Sequence, residues 1–158
     1  MTAPTQLSLT AAAGEATAKL SSILVTVTAL TPDGTEVSRL YSTHPETYAV
    51  GGRKRMDPSQ TSPLWKSQVV EGQQAFLGAN RDAVREFFFD WKTIESLGCG
   101  AIVNTPVVLD GETIGSINFL GSEGSLTSES VAVALDITAR ATAAVARARA
   151  EAFPEVTR

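Results

Sequence analysis

The stretch SLGCGAIVNTPVVLDGETIGSINFLG, residues 96–121, predicts a β-hairpin. Apolar and β-branched residues dominate both halves, and Asp110-Gly111 between the halves is typical of a tight turn. Because the side chains of a strand alternate between its two faces, this hairpin decides where helices and a pocket can lie.

The turn of this hairpin decides which side chains share a face. With a three-residue loop at 109–111 and its glycine in the left-handed conformation, Val108 pairs with Glu112 and the even-numbered residues lie together. A two-residue turn would instead separate Asn104 from Asn118. The even face then carries Ile102, Asn104, Pro106, Ile114, Ser116, Asn118 and Leu120. The odd face carries Ala101, Val103, Thr105, Val107, Gly115, Ile117 and Phe119. We expect the more apolar odd face to receive the terminal helices and the even face to line a pocket.

The rest of the chain predicts helices and one further hairpin. The expected elements are a helix over 7–22, a hairpin over 23–44, a long loop over 45–63, a helix over 62–72, one or two short helices over 80–98 and a long helix over 127–153. This order predicts an α+β fold with an antiparallel sheet. The expected apolar side of the last helix is Val131, Leu135, Ile137, Ala141 and Val145. Small residues favour close helix approach, so we expect a homodimer through the terminal helices.

The composition favours one globular domain over residues 1–158, with its core at about 7–150. The chain is 43% hydrophobic and 19% charged, which is typical of a soluble protein. Its net charge of -4 offers no basic surface for nucleic acid or an anionic membrane. The single cysteine allows neither an internal disulfide nor a thiolate metal site, and no apolar run is long enough to span a membrane. We therefore expect a cytoplasmic protein without metal or cofactor.

Two motifs give the chain a family resemblance. A strand with Asn-Thr-Pro-Val at 104–107 precedes a turn glycine and the pair Ile114-Gly115, and YAVGGRK at 48–54 accompanies SLGCG at 96–100. This pattern, over about 7–150, resembles the GAF domain and most of all the stand-alone bacterial GAF-domain proteins. The resemblance implies a PAS-like antiparallel sheet with terminal helices on one face. On the other face it implies a pocket covered by a loop and short helices.

The sequence also departs from the known subgroups of that family. No Asn-Lys-Phe-Asp-Glu set of the cyclic-nucleotide-binding members is recognisable. The free methionine sulfoxide reductases on this fold use several cysteines, whereas Cys99 has no partner. Bilin-binding members attach their chromophore through a cysteine in a different sequence setting. The resemblance therefore predicts a small-molecule ligand without naming it.

Polar groups among apolar ones predict a binding wall on the even face, formed by Asn104, Ser116 and Asn118. The alternative is that these side chains only hydrogen-bond the backbone of the crossing loop. Arg53, directly after Gly51-Gly52, is the expected cation for a carboxylate or phosphate, and the glycines are candidates to turn backbone N–H groups toward an anion. Its neighbours Lys54 and Arg55 are expected to be solvated.

Aromatic residues are candidates to enclose an organic ligand, with ordinary core packing as the alternative. They are Tyr41, His44, Tyr48, Trp65 and Phe89. Three residues are candidates for chemistry: Cys99, His44 and Asp90. Each has a structural alternative, namely a buried packing residue for the cysteine, an exposed turn residue for the histidine and a helix cap for the aspartate.

The sequence supports three functions. The favoured one is a binding module for a small organic anion with a sensory or regulatory role, acting through a separate partner chain. The second is a cofactor-independent enzyme that acts on a small acid or a sulfur-containing metabolite. The third, a structural interaction protein, explains the Ala-rich helices but leaves the polar even face without a role. The first is favoured because no convincing catalytic set is present.

Overall fold

The computed structural model of the chain describes residues 5–154. Six strands form one antiparallel sheet in the order β3-β2-β1-β6-β5-β4. The strands are β1 Leu24–Leu30, β2 Glu36–Ser42, β3 Arg53–Arg55, β4 Phe76–Gly78, β5 Ala101–Leu109 and β6 Glu112–Gly121. Both expected hairpins are present. The edge strands β3 and β4 were not expected, because three residues are too few to show an alternating pattern.

Five helices accompany the sheet in the described part of the chain. They are α1 Leu9–Leu20, α2 Pro63–Trp65, α3 Arg81–Phe87, α4 Trp91–Ser96 and α5 Ser128–Ala152. Side chains of Ser8, Ser62 and Asn80 accept hydrogen bonds at the first turns of α1, α2 and α3. The helix expected over 62–72 is instead one α-turn that continues as a π-helical segment over Lys66–Glu71.

The helix face of the sheet is the one covered by α1 and α5. Val103, Ile117 and Phe119 are fully buried there in one cluster with alanines of both helices. The odd-numbered residues of β5 and β6 therefore receive the terminal helices, as expected. Leu135 differs from expectation, since it is 42% exposed. The buried side of α5 consists of Ala134, Ile137, Thr138, Ala141 and Val145.

The hairpin of β5 and β6 has a different turn from the one expected. Leu109 lies opposite Glu112, so the turn has two residues, and both have positive φ, 51° at Asp110 and 82° at Gly111. This is the geometry of a type I′ turn. A β-bulge follows, in which Ile114 is the extra residue of β6 and packs with the helix-face cluster rather than on the even face.

The bulge returns the polar side chains of the two strands to one face, as expected, although their cross-strand partners differ from those that the three-residue loop implies. Beyond it, Pro106 lies opposite Ser116 and Asn104 lies opposite Asn118. Because a bulge adds one residue to one strand only, it reverses the change of face that the shorter turn would otherwise cause. The separation of the two asparagines that a two-residue turn implied therefore does not occur.

A second bulge lies between β1 and β2. Val27 is opposite Tyr41 and Thr28 is opposite Arg39, which makes Leu40 the extra residue. Tyr41 and Arg39 consequently lie on opposite faces of the sheet, although residues two positions apart in a regular strand share a face. Tyr41 packs against the helix-face cluster, and Arg39 borders the open space on the other face. We call that other side the cavity face.

Candidate ligand-binding cavity

A cavity of about 600 Å³ lies between the cavity face and the segments that cross it. Its floor is formed by β1, β5 and β6, and its walls come from β2, β3 and the chain at 56–65 and 87–94. This volume lies within the range of sites for small organic ligands. The side chains that border the cavity include Thr26, Thr28, Arg39, Tyr48, Arg53, Lys54, Trp65, Phe87, Phe88, Phe89, Asp90, Asn104, Ser116, Asn118 and Leu120.

Hydrogen-bonded side chains cross the floor of the cavity from strand to strand. The indole N–H of Trp65 donates to Asn104 Oδ1 at 3.0 Å, and Asn104 Nδ2 donates to Asn118 Oδ1 at 2.7 Å. Asn118 Nδ2 then donates to Thr26 Oγ1 at 3.0 Å. Each asparagine uses one N–H of its amide in this network, so the second remains for another acceptor.

Ser116 extends the same network. Its hydroxyl donates to Asn118 Oδ1 at 3.1 Å and lies 2.8 Å from the hydroxyl of Thr28. The three polar residues expected to share the even face are thus joined by hydrogen bonds. The alternative, that they pin the backbone of the crossing loop, differs from what is found, because their partners are other side chains. The anchor to the wall is the indole of Trp65.

Arg39 is the cation that sequence reasoning missed. Its Nη1 donates to the carbonyl of Ala49 at 2.9 Å, and its guanidinium lies 4.9 Å from the ring centroid of Tyr48. Its Nε is buried without a hydrogen-bond partner in the described chain, and it forms no ion pair with a carboxylate there. Burial lowers the pKa of Arg39, but a guanidinium stays charged at neutral pH.

The double glycine makes room for this arginine. A Cβ at Gly52 would lie 2.7 Å from Arg39 Nη1. The N–H of Gly51 donates to the carbonyl of Arg39, and the N–H of Gly52 donates to Ala49. These N–H groups are therefore committed to the backbone and do not form the anion cradle expected from the sequence. The glycine pair was a usable signal for a closely packed side chain.

Within β3, Lys54 rather than Arg53 is the more enclosed cation. Arg53 is exposed at the rim, where it pairs with Glu36 at 3.3 Å. Lys54 is half-buried, with Nζ 6.0 Å from the ring centroid of Phe88. Its pKa is lowered mainly by burial, with Asp90 raising it and Arg39 lowering it further. The expectation for Arg53 and Lys54 is thus reversed, because the middle residue of a short strand faces opposite to its neighbours.

Tyr48 and Asp90 form a hydrogen-bonded pair beside these cations. The phenol donates to Asp90 Oδ2 at 2.6 Å. Burial, and then this bond, raise the pKa of Tyr48 well above its ordinary value, so the phenol is protonated at neutral pH. Asp90 holds the N-cap position of α4, yet its side chain makes no capping bond. Its carboxylate faces the tyrosine and the cavity instead.

The expected aromatic enclosure is present in part. Trp65 is buried, Phe89 is 55% exposed, and both line the cavity with Tyr48. Phe87 and Phe88 add further aromatic wall, which sequence reasoning left out. Tyr41 is absent from this wall because the bulge at Leu40 turns it to the helix face.

Cys99 and His44 lie outside the cavity. The thiol is fully buried in an apolar cluster, and burial raises its pKa to about 11. His44 Nδ1 lies 3.1 Å from the hydroxyl of Thr43. Among the three residues proposed for chemistry, only Asp90 borders the cavity. Over residues 5–154, no three His, Cys, Asp or Glu side chains are grouped as metal ligands, and no helix is long and apolar enough to cross a membrane.

Solved structures share this architecture. The GAF domain of Acinetobacter phosphoenolpyruvate-protein phosphotransferase matches with a TM-score of 0.64 and 12% identity over 87% of this chain and 79% of its own. The GAF domain of a two-component sensor histidine kinase from Bacillus halodurans matches with a TM-score of 0.63 and 12% identity over 89% of this chain and 95% of its own. The phycocyanobilin-bound GAF domain of a cyanobacterial phytochrome matches with a TM-score of 0.60 and 16% identity over 87% and 81%.

These matches show that the chain has the GAF fold, as its sequence motifs predict. No family model and no curated protein matches the sequence. At such low identities the likeness concerns the fold, and one fold hosts many activities. The ligand of the cavity therefore depends on the cavity's own residues and does not follow from the fold.

Proposed function

We propose that the cavity binds a small organic anion and that the protein acts as a sensory or regulatory module. The observation that carries the proposal is the pair of cations, Arg39 and Lys54, in the wall of the cavity. Neither forms an ion pair with a carboxylate between residues 5 and 154. Enclosed charges without partners are costly, and a ligand carboxylate or sulfonate would offset that cost.

The remaining charge in the cavity agrees with an anionic ligand. The chain has a net charge of -4, yet the cavity wall carries Arg39, Lys54 and the rim residue Arg53 against the single carboxylate of Asp90. That carboxylate already accepts a hydrogen bond from the phenol of Tyr48. A local positive excess in a partly enclosed site attracts anions even when the whole protein is acidic.

The neutral part of the cavity suits an organic group. Trp65, Phe87 and Phe88 offer apolar surface, and the free amide N–H groups of Asn104 and Asn118 offer directional contacts at the floor. A ligand with an acidic group at one end and a ring or short chain at the other would satisfy both regions.

A sensory role is supported by the fold relatives, which include a domain of a sensor histidine kinase and bilin-bound phytochrome domains. We extend the proposal to one cytoplasmic domain over residues 1–158, partnered by a second copy through α1 and α5. The exposed Leu135 on α5 is available to such a contact.

Two fluorescent dyes that differ in one charge test the proposal. Anilinonaphthalene sulfonate carries an aromatic body and an anionic group, whereas N-phenylnaphthylamine lacks the sulfonate. We expect one molecule of the sulfonate dye to bind per chain. Arg39→Met and Lys54→Met should each weaken it about tenfold or more, since a hydrogen bond to a charged group contributes roughly 1.5–3 kcal/mol.

The neutral dye and the rim variant Arg53→Met serve as controls. Arg39→Met and Lys54→Met should bind N-phenylnaphthylamine as the wild type does. Arg53→Met should change the affinity for the sulfonate dye little, because its partner Glu36 lies at the surface. Equal affinity for the two dyes, unchanged by Arg39→Met and Lys54→Met, would contradict anion binding in this cavity.

A further inference from the structure

Lys54 occupies a position that differs from those of the other lysines. The chain contains four lysines, at 19, 54, 66 and 92, and only Lys54 lines the cavity. Its ammonium group lies against Phe88 without an ion pair in the described part of the chain. An uncommitted amine in a partly desolvated cavity, beside a second cation, is the arrangement that makes a lysine nucleophilic.

We propose that Lys54 captures an oxo acid as a reversible imine, with the carboxylate of the ligand held by Arg39. The proposal rests on the proposed binding of an organic anion in the same cavity, and it narrows the ligand to one that also carries an aldehyde or ketone. The two cations divide the work: the guanidinium, which cannot lose its proton, holds the carboxylate, and the amine reacts.

The reaction is a condensation that balances without an oxidant or a reductant. Lys54 first gives up one ammonium proton, and the neutral amine attacks the carbonyl carbon to form a carbinolamine. As the carbinolamine forms, a second proton passes from the nitrogen to the carbonyl oxygen, which becomes a hydroxyl. The hydroxyl then takes up the proton that the ammonium group first lost, the carbon–oxygen bond breaks, and water leaves. A carbon–nitrogen double bond remains. The reverse reaction returns the oxo acid and the lysine.

The surroundings supply the groups that these proton transfers need. Asp90 is near enough to Lys54 to raise its pKa, and Arg39 is near enough to lower it. The carboxylate of Asp90 lines the same cavity as Lys54, so it can take up, through an intervening water, the proton that the amine loses and return it to the departing hydroxyl. The phenol of Tyr48, bonded to Asp90 at 2.6 Å, orients that carboxylate.

Trapping with sodium cyanoborohydride tests the inference, because this reagent reduces an iminium to a stable secondary amine. The folded protein is incubated with pyruvate or with acetone, which has the same ketone but no carboxylate, and the labelled lysines are mapped by peptide mass spectrometry. We expect pyruvate to label Lys54 about tenfold faster than the exposed Lys92, because a hydrogen bond from Arg39 to the carboxylate holds the ketone near the amine of Lys54. The lowered pKa of Lys54, caused mainly by burial, acts in the same direction.

The ratio of pyruvate to acetone labelling isolates the role of Arg39. At Lys54 this ratio should exceed the ratio at Lys92, and Arg39→Met should bring the two ratios together. The ratio removes any general change in amine reactivity that the variant causes, and the wild-type comparison needs no variant at all.

Two outcomes would overturn the inference. One is labelling of Lys54 by pyruvate no faster than that of Lys92, in a protein that binds anilinonaphthalene sulfonate; the imine then fails while the anion site stands. The other is an equal pyruvate-to-acetone ratio at both lysines, which would show that the site has no preference for a ketone with a carboxylate. Rapid, pyruvate-selective labelling of Lys54 in a protein that does not bind the sulfonate would support the imine and contradict the site for aromatic anions.

Discussion

On the helix face of the sheet, Val103, Ile117 and Phe119 are fully buried against α1 and α5, whereas on the cavity face the strand neighbours Asn104 and Asn118 border open space. Between β5 and α5 on the helix face, two buried hydroxyls form a hydrogen bond, with Thr105 Oγ1 and Thr138 Oγ1 2.5 Å apart. The cavity face carries a network of amides, hydroxyls and an indole instead.

The contrast shows how a small sheet can be stable on one side and open on the other. Burial of apolar area on the helix face supplies stability, because it removes large side chains from water. The cavity face gives up part of that contribution and keeps its polar groups satisfied among themselves. A cavity of about 600 Å³ then remains, with two cations in its wall.

The largest effect should come from the helix face. Phe119→Ala removes a side chain that is fully buried, so we expect the free energy of unfolding to fall by about 3–5 kcal/mol. Urea denaturation measures it. The affinity for anilinonaphthalene sulfonate should stay unchanged in the folded fraction, since the alanine lies on the side away from the cavity.

The adjacent residue provides the matched change on the other side. Leu120 borders the cavity, so Leu120→Ala should cost less, near the lower end of about 2–5 kcal/mol, and should alter dye affinity. If Phe119→Ala changed dye affinity as much as Leu120→Ala does, packing on the helix face and binding on the cavity face would not be independent.

A smaller effect should separate two neighbouring polar residues. Asn104→Leu leaves the Trp65 indole N–H without its acceptor and removes one of the two hydrogen bonds that Asn118 Oδ1 accepts, at a cost of about 1–3 kcal/mol. Thr105→Val should cost about 0.5–1.5 kcal/mol, because Thr138 keeps its bond to the carbonyl of Ala134.

Tryptophan fluorescence distinguishes the two changes. In a Trp91→Phe background, which leaves Trp65 as the reporter, Asn104→Leu should shift the emission maximum and Thr105→Val should not. Equal unfolding costs together with unchanged emission from Trp65 would show that the floor network does not hold the wall.

The smallest effect should come from the ion pair on the outside of the helix layer. Glu15 of α1 accepts two hydrogen bonds from Arg140 of α5, at 2.8 and 2.6 Å. These bonds, followed by the one from Lys19, lower the pKa of Glu15 from about 4.5 to about 2. A carboxyl group whose pKa is lower in the folded state stabilises the fold at pH values above its ordinary pKa. This stabilisation is lost as the pH falls through the lowered pKa of the folded state.

Stability measured against pH tests that linkage. The difference in unfolding midpoint between the wild type and Glu15→Gln should be constant near neutrality and should shrink between about pH 4.5 and pH 2. Dye affinity should be the same in both. If the difference in unfolding midpoint grew as the pH fell, the ion pair would not stabilise the fold through the lowered pKa of Glu15.

The faces of the second hairpin agree with the prediction because two local differences at its turn compensate for each other. Sequence reasoning assumed a three-residue turn, and the chain has a two-residue turn followed by a bulge at Ile114. The two differences cancel, so Asn104, Ser116 and Asn118 still share a face. Ile114 itself could not be placed, since nothing local in its sequence marks the extra residue.

The cationic wall was not predictable in the same way. The bulge at Leu40 sends Tyr41 and Arg39 to opposite faces, and the three-residue strand β3 turns Lys54 inward and Arg53 outward. Both outcomes depend on how a strand pairs with its neighbour, β2 with β1 and β3 with β2, and neither pairing leaves a periodic signal in the sequence. The glycines at 51–52 marked the place but suggested a role for their own N–H groups instead.

The most direct test of anion binding on the cavity face is crystallographic. Crystals soaked with para-bromobenzoate would reveal the bromine by its anomalous scattering and the carboxylate by its density. We expect one bromine inside the cavity near Trp65, with the carboxylate oxygens within hydrogen-bond distance of Arg39 and facing Lys54. A carboxylate turned away from both cations, or a soaked crystal with bromine only on the outer surface, would contradict it.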